Sequence, residues 1–285
     1  MTGVEAFIKR HPVPTYFALT FVISWGSFVL VVGPGGFPGT PEQTERLMAL
    51  AVLALLAGPP VAGILLTGIV DGRAGLRQVL SRLLRWRVGA HWYAVALMPA
   101  PLLAAAVLLA LSLTSPIFTT DDKAAVLLSG IAAGLTTVLE ELGWTGFAVP
   151  RLRLRCGVGT TGLIVGVLWG AWHLPVTFWV GGTYSGGLSL ALFLSLYFFS
   201  GVAQLTAYRV LLVWVYDRTG SLLVVWLMHA SLTASTIFIF TPMATGVSFL
   251  TYTWGLAAAL WAVVAVVALA NGGQLSHQPL QRRVV

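Results

Sequence analysis

Apolar residues in this chain come in runs far longer than a soluble core requires. Eight stretches, at about 14–33, 48–70, 91–113, 124–149, 158–180, 188–215, 221–241 and 249–270, are close to free of charge. About twenty consecutive apolar residues in a helix cross the hydrocarbon of a bilayer. Only helices and closed barrels satisfy the backbone in lipid, and runs this long exceed a barrel strand. The pattern predicts an all-α, polytopic membrane protein of about eight transmembrane helices. The sixth run is long, so its helix tilts or begins late. No internal repeat or low-complexity linker interrupts the pattern. Residues 1–270 therefore read as one transmembrane domain, followed by a polar tail over 271–285.

Composition agrees. Hydrophobic residues make up 58% of the chain and charged residues 9%, against about 25% charged in a soluble domain. The single cysteine, Cys156, forms no intrachain disulfide and belongs to no Cys-rich metal site. Lys9 and Arg10 precede an apolar run from Pro14 to Val32 that is longer than a signal-peptide core, so this run reads as the first span rather than a cleaved leader.

The distribution of the basic residues predicts an orientation. With the N-terminus cytoplasmic, the inner segments hold Lys9, Arg10, Arg73, Arg77, Arg82, Arg85, Arg87, Arg151, Arg153, Arg155, Arg218, Arg282 and Arg283. The outer segments hold only Arg46 and Lys123, and Arg209 falls inside a span. This asymmetry follows the positive-inside rule and predicts an even number of helices with both termini cytoplasmic, in the plasma membrane if the source is bacterial. The net charge of +7 lies between apolar spans, which fits a basic face against anionic lipid at the cytoplasmic side and no nucleic-acid partner. Segment 71–88 carries Leu76, Val79, Leu80, Leu83 and Leu84 near one helical face, with Arg77, Arg82 and Arg85 mostly opposite. It reads as an amphipathic helix on the inner membrane surface, or else as a basic loop. Nothing in the sequence indicates an oligomeric state.

Ionisable groups inside a span are costly and functional by default. Of the acidic residues only Glu140 and Glu141 lie well inside a predicted span. His173 and His229 also lie within spans, whereas His11, His91 and His277 lie at or beyond span ends. Arg209 completes the embedded set. At 1.5 Å per residue, Glu141 lies roughly 15 Å from the inner face, His229 roughly 12 Å and Arg209 roughly 16 Å. His173 lies roughly 17 Å deep if Gly157–Thr161 is a loop. Lipid-facing positions do not hold such groups, so they are expected to converge on an interior, water-filled cavity open towards the cytoplasm. Gly162, Gly166 and Gly170 form a small-residue stripe that His173 continues, and Gly130 and Gly134 share a face with Glu141. Pro175 removes a helical hydrogen bond next to His173, which allows a kink there.

These residues resemble the motifs of the CPBP (CAAX-protease) family. Glu140-Glu141-Leu142-Gly143-Trp144-Thr145-Gly146 is similar to the family's Glu-Glu pair followed by Trp-Arg-Gly. Trp169-Gly170-Ala171-Trp172-His173 matches an aromatic residue four before a His, and His229 to Thr233 matches a His four before an Asn. Asp217-Arg218-Thr219-Gly220-Ser221-Leu222 resembles the stretch that precedes the last motif. The resemblance covers about 124–240 well and the remainder loosely. Thr145 stands where the family has Arg, and Thr233 where it has Asn. Arg209, at similar depth, either supplies the missing positive charge to Glu141 or snorkels towards the inner interface.

The resemblance implies hydrolysis of a peptide bond in a membrane-anchored protein or peptide. Glu140 would be the general base and would hold the attacking water with His173. Glu141 would be its partner carboxylate. His229 and Thr233 would donate to the oxyanion. Eukaryotic relatives remove a C-terminal tripeptide after a prenylated Cys. A zinc version, with Glu140, His173 and His229 as ligands, stays open beside metal-free chemistry, although no H-E-x-x-H helix is present. No Ser-His-Asp set is expected, since no Asp lies in a span. Two other classes compete. One is a degenerate relative that binds or scaffolds a peptide or lipidated partner, which Thr145 and Thr233 favour. The other is a proton-coupled carrier, which lacks paired interrupted helices in matching halves.

Overall fold

A computed structural model describes residues 3–33, 36–119 and 123–276. The far end of the tail, with His277, Arg282 and Arg283, lies outside the described residues. Among the described residues every regular element is helical. In chain order they are α1 (Gly3–Arg10), α2 (Pro12–Val32), α3 (Pro41–Leu56), α4 (Gly58–Leu83), α5 (Ala90–Leu97), α6 (Pro99–Ser112), α7 (Lys123–Thr136), α8 (Val138–Gly143), α9 (Val149–Leu152), α10 (Val158–Trp172), α11 (Leu174–Gly181), α12 (Leu190–Thr219), α13 (Leu222–Thr233) and α14 (Gly246–Ala270). Wider π-helical turns follow α8 at Trp144–Ala148 and α13 at Ala234–Ile239.

Seven helical stretches among the described residues are long and apolar enough to cross a membrane, or eight if α10 and α11 make one bent span. The chain is an all-α, multi-pass integral membrane protein. The bend between α10 and α11 measures 42° and falls at His173, where Pro175 cannot donate to the carbonyl of Ala171. The kink expected from Pro175 is therefore present, beside the residue it was expected to serve.

Three boundaries differ from the sequence reading. The second apolar run belongs to a longer path, Pro41–Leu83, because α3 and α4 follow one another with only Ala57 between. Segment 71–88 is not one helix. Gly72 breaks α4 with φ 63° and ψ −157°, a conformation that glycine adopts without steric cost. Its helical part ends at Leu83. Leu76 and Leu80 are exposed, Val79 and Leu83 half-buried. Gly157–Thr161 is not a loop either. Gly157 caps α10, which starts at Val158, so 15 helical residues precede His173.

The site is held by two glycine seams. On α10, a Cβ at Gly162, Gly166 or Gly170 would stand 2.6, 2.6 or 2.8 Å from the Cα of Val210, Thr206 or Val202 on α12. The four-residue spacing on both helices lets the backbones touch along a row, the small-residue packing of membrane bundles. On α7, Gly134 faces the Ala230 carbonyl oxygen of α13, with 2.8 Å to a would-be Cβ. Gly166→Val is expected to destabilise the fold by about 1–3 kcal/mol through overpacking, read as a lower thermal midpoint in detergent. Leu163→Val, on the exposed side of the same helix, should leave the midpoint almost unmoved.

Candidate active site

Four helices deliver the embedded groups to one place. Glu140 and Glu141 lie on α8, and the wider turn beginning at Trp144 carries Thr145. Such π-helical turns are rare and often mark functional positions. Trp169 is on α10, Arg209 on α12 and His229 on α13. His173 sits at the α10–α11 break.

Glu141 is the centre of this cluster and is fully buried. Its Oε1 lies 2.9 Å from His229 Nδ1 and 2.9 Å from Arg209 Nη1. Its Oε2 accepts from Arg209 Nη1 at 3.0 Å and from the Thr145 hydroxyl. Burying a carboxylate is expensive unless it is paired and hydrogen-bonded, and both oxygens of Glu141 are. Arg209 has no exposed surface, so it does not snorkel; the alternative reading, a cation on Glu141, describes its position.

Trp169 links the second half of the site. Its Nε1 donates to Glu140 Oε2 at 2.7 Å, and its backbone carbonyl accepts from His173 Nδ1 at 2.8 Å. A carbonyl only accepts, so Nδ1 carries the proton and Nε2 presents a lone pair. The Trp169 ring meets His229 edge-on at 4.8 Å and His173 at 5.8 Å, while the Arg209 guanidinium stacks on it at 4.0 Å. Glu140, Glu141, His229 and Arg209 are thus brought together, with His173 joined through Trp169. Thr233 lies one helical turn beyond His229 and is half-buried. Among the described residues its hydroxyl has no bond to the cluster.

The interior cavity expected around these groups takes a different form. Trp144, Trp169 and Trp172 are buried and fill the space between the helices. A cavity of about 200 Å³ lies to one side, between the two arms of α4, and reaches the site helix at Leu142. Its walls include Leu76, Val79, Leu80 and Leu83. The apolar face of the amphipathic segment therefore looks towards the bundle. Asp71 pairs with Arg151, and the Arg85 carbonyl accepts from Ser221 at 2.6 Å, tying this segment to the helices beneath it.

Residues 122–235 match the family model described as Type II CAAX prenyl endopeptidase Rce1-like. This segment is similar to the core of that family. Every group of the cluster just described lies inside it. A 44-residue stretch is also 36% identical to CAAX prenyl protease 2 of Methanococcus maripaludis, covering 15% of this chain and 16% of that protein. The matched stretch is thus well under two thirds of that relative's length.

Two parts of this candidate site were not visible as such in the sequence. Trp169 was legible as an aromatic at the right spacing from His173, but not as the anchor of both Glu140 and His173. Tyr16 had no signal. It is buried on α2, far from the motifs in sequence, and its ring meets Trp144 edge-on at 5.7 Å. A Cβ on Gly143 would collide with the Tyr16 hydroxyl, so a glycine at 143 lets α2 close on the site.

The donor set does not fit the zinc arrangement left open above. Glu140 is engaged by Trp169, His229 Nδ1 by Glu141, and a guanidinium stands against Glu141. Among the described residues no three His, Cys, Asp or Glu side chains gather closely enough to hold a metal ion.

Proposed function

We propose that this chain is an intramembrane endopeptidase that hydrolyses a peptide bond of a membrane-anchored protein with a water activated by Glu140 and His173. The observation that carries this reading is the shared anchor. Trp169 fixes the Glu140 carboxylate through its indole N–H and the His173 imidazole through its carbonyl. On this reading the second oxygen of Glu140 and the Nε2 of His173 hold the attacking water. Positioned bases of this kind need hydrogen-bond reach to the proton they abstract.

In the proposed reaction the water oxygen bonds to the scissile carbonyl carbon as Glu140 takes its proton. The carbonyl electrons move to oxygen, where His229, as imidazolium, and the Thr233 hydroxyl donate hydrogen bonds. Collapse breaks the C–N bond, and Glu140 returns the proton to the leaving amine. Glu141, 2.9 Å from His229 Nδ1, orients the ring and balances its charge, as a carboxylate does for a catalytic imidazole. Because the site is closed by tryptophans, substrate entry requires those rings to move.

The basic asymmetry supports both termini on the cytoplasmic side, with Arg73, Arg77, Arg85 and Arg87 exposed towards anionic lipid. A prenylated CAAX-type protein is the substrate class that the matching family's description supports. A second reading, a non-cleaving scaffold for a lipidated partner, draws support from the closed packing and from Thr233 standing off the cluster. Purified protein in detergent, given a farnesylated fluorogenic CAAX peptide, separates the two. Release of a tripeptide is the result expected; saturable binding with the peptide left whole would favour the scaffold.

A further inference from the structure

The hydrolysis proposed above uses the glutamates and histidines and leaves Arg209 without a task. We propose that Arg209 is the positioning residue of this site. It fixes Glu141 directly and Glu140 through the Trp169 ring.

The contacts run in both directions from one guanidinium. Nη1 lies 2.9 and 3.0 Å from the two oxygens of Glu141 and 3.4 Å from the Thr145 hydroxyl. The plane of the same group stacks at 4.0 Å on Trp169, whose Nε1 holds Glu140 at 2.7 Å. Arg, and not Lys, combines a forked donor set with a flat face that stacks on an indole. Among the described residues Arg209 is the only Lys or Arg that pairs with either glutamate. Two glutamates and one guanidinium make up the acidic and fixed cationic groups of this buried set. Without Arg209 the buried Glu141 loses its guanidinium partner, which the protein interior penalises.

Thr145 follows Glu141 by four residues, so the two share a helix face. A long cationic side chain at 145 would reach the same carboxylate from within its own helix. This chain has a hydroxyl there and brings the cation from α12, across the glycine seam. A Cβ on Gly166 would stand 3.1 Å from Arg209 Cβ, so the placement of the charge depends on the contact between α10 and α12. Nε and Nη2 of Arg209 are buried without a protein acceptor among the described residues. The guanidinium is therefore not saturated by its contacts with Glu141, Thr145 and Trp169.

The test measures cleavage and thermal midpoint together, because the role in catalysis rests on the peptidase reading and the role in charge placement does not. Arg209→Gln is expected to lower kcat roughly 100-fold, the scale of a 1 Å misplacement, with KM little changed. Adding Thr145→Arg should recover most of the lost kcat and the thermal midpoint. Wild-type kcat in Arg209→Gln, or a double variant that regains its midpoint but not its kcat, overturns the positioning role. If Arg209→Gln does not fold, Arg209→Lys carries the test: a wild-type midpoint with reduced kcat supports the proposal, and wild-type kcat overturns it. If the wild-type chain itself cleaves nothing, the peptidase reading falls. The midpoints then decide alone. A drop in Arg209→Gln relieved by adding Glu141→Gln supports the charge placement, and an unrelieved drop contradicts it.

Discussion

Glu140→Gln is expected to abolish cleavage while leaving the fold and substrate binding in place. General base catalysis contributes about 10²–10⁴-fold, so kcat should fall by at least that range. The substitution is nearly isosteric, and the amide oxygen still accepts from Trp169 Nε1, which holds Glu140 at 2.7 Å in the wild type. The variant therefore keeps the anchor and loses only the proton acceptor. His173→Ala should fall by a similar factor, since the Nε2 lone pair disappears with the ring. The check is steady-state cleavage beside a binding measurement with the same farnesylated peptide. A variant that loses binding as well as cleavage would move Glu140 from chemistry to structure.

Glu141→Ala is expected to have the largest effect on stability. Glu141 is fully buried and receives Arg209, His229 and Thr145. Removing one member of a buried ion pair leaves the other charge uncompensated, at a cost of about 3–5 kcal/mol. Arg209 and His229 would then face each other across an empty site. The measurement is the thermal midpoint in detergent, with Glu5→Ala as a control. Glu5 pairs with Lys9 on the exposed surface of α1 at 2.7 Å, where an ion pair contributes at most about 1 kcal/mol. A Glu141 variant as stable as that control would mean that the buried pairing holds little of the fold together.

How far the fold and site were legible differs by kind of information. Helix number and approximate span followed from hydropathy, because lipid leaves the backbone few choices. The bend at His173 followed from Pro175. The break at Gly72 did not, since a glycine inside an apolar-to-basic transition looks the same whether it bends the chain or not. The wider turn at Trp144–Ala148 was likewise hidden, as its cause lies in what packs around it: Tyr16 from α2 on one side and Trp172 from α10 on another. Among the candidate residues, Glu140, Glu141 and His229 were marked by the cost of embedding charge. Arg209 was marked too, but pairing with Glu141 was only one of its two readings, beside snorkelling. Which carboxylate it meets is decided by the close approach of α10 and α12 along the glycine seam, a contact between residues some forty positions apart. The anchoring role of Trp169 was not legible, since an indole in a membrane span is unremarkable until its N–H is seen to end on a carboxylate.

The account as a whole turns on Glu140 and His173 activating a water against a peptide bond within the membrane. Mass spectrometry of the products formed by the wild-type chain in ¹⁸O-labelled water, from a farnesylated CAAX peptide in detergent, tests this most directly. The account predicts one ¹⁸O atom in the newly formed carboxyl group, and no such product from Glu140→Gln. Recovery of only intact peptide, from wild-type protein that is folded and binds it, would contradict the account.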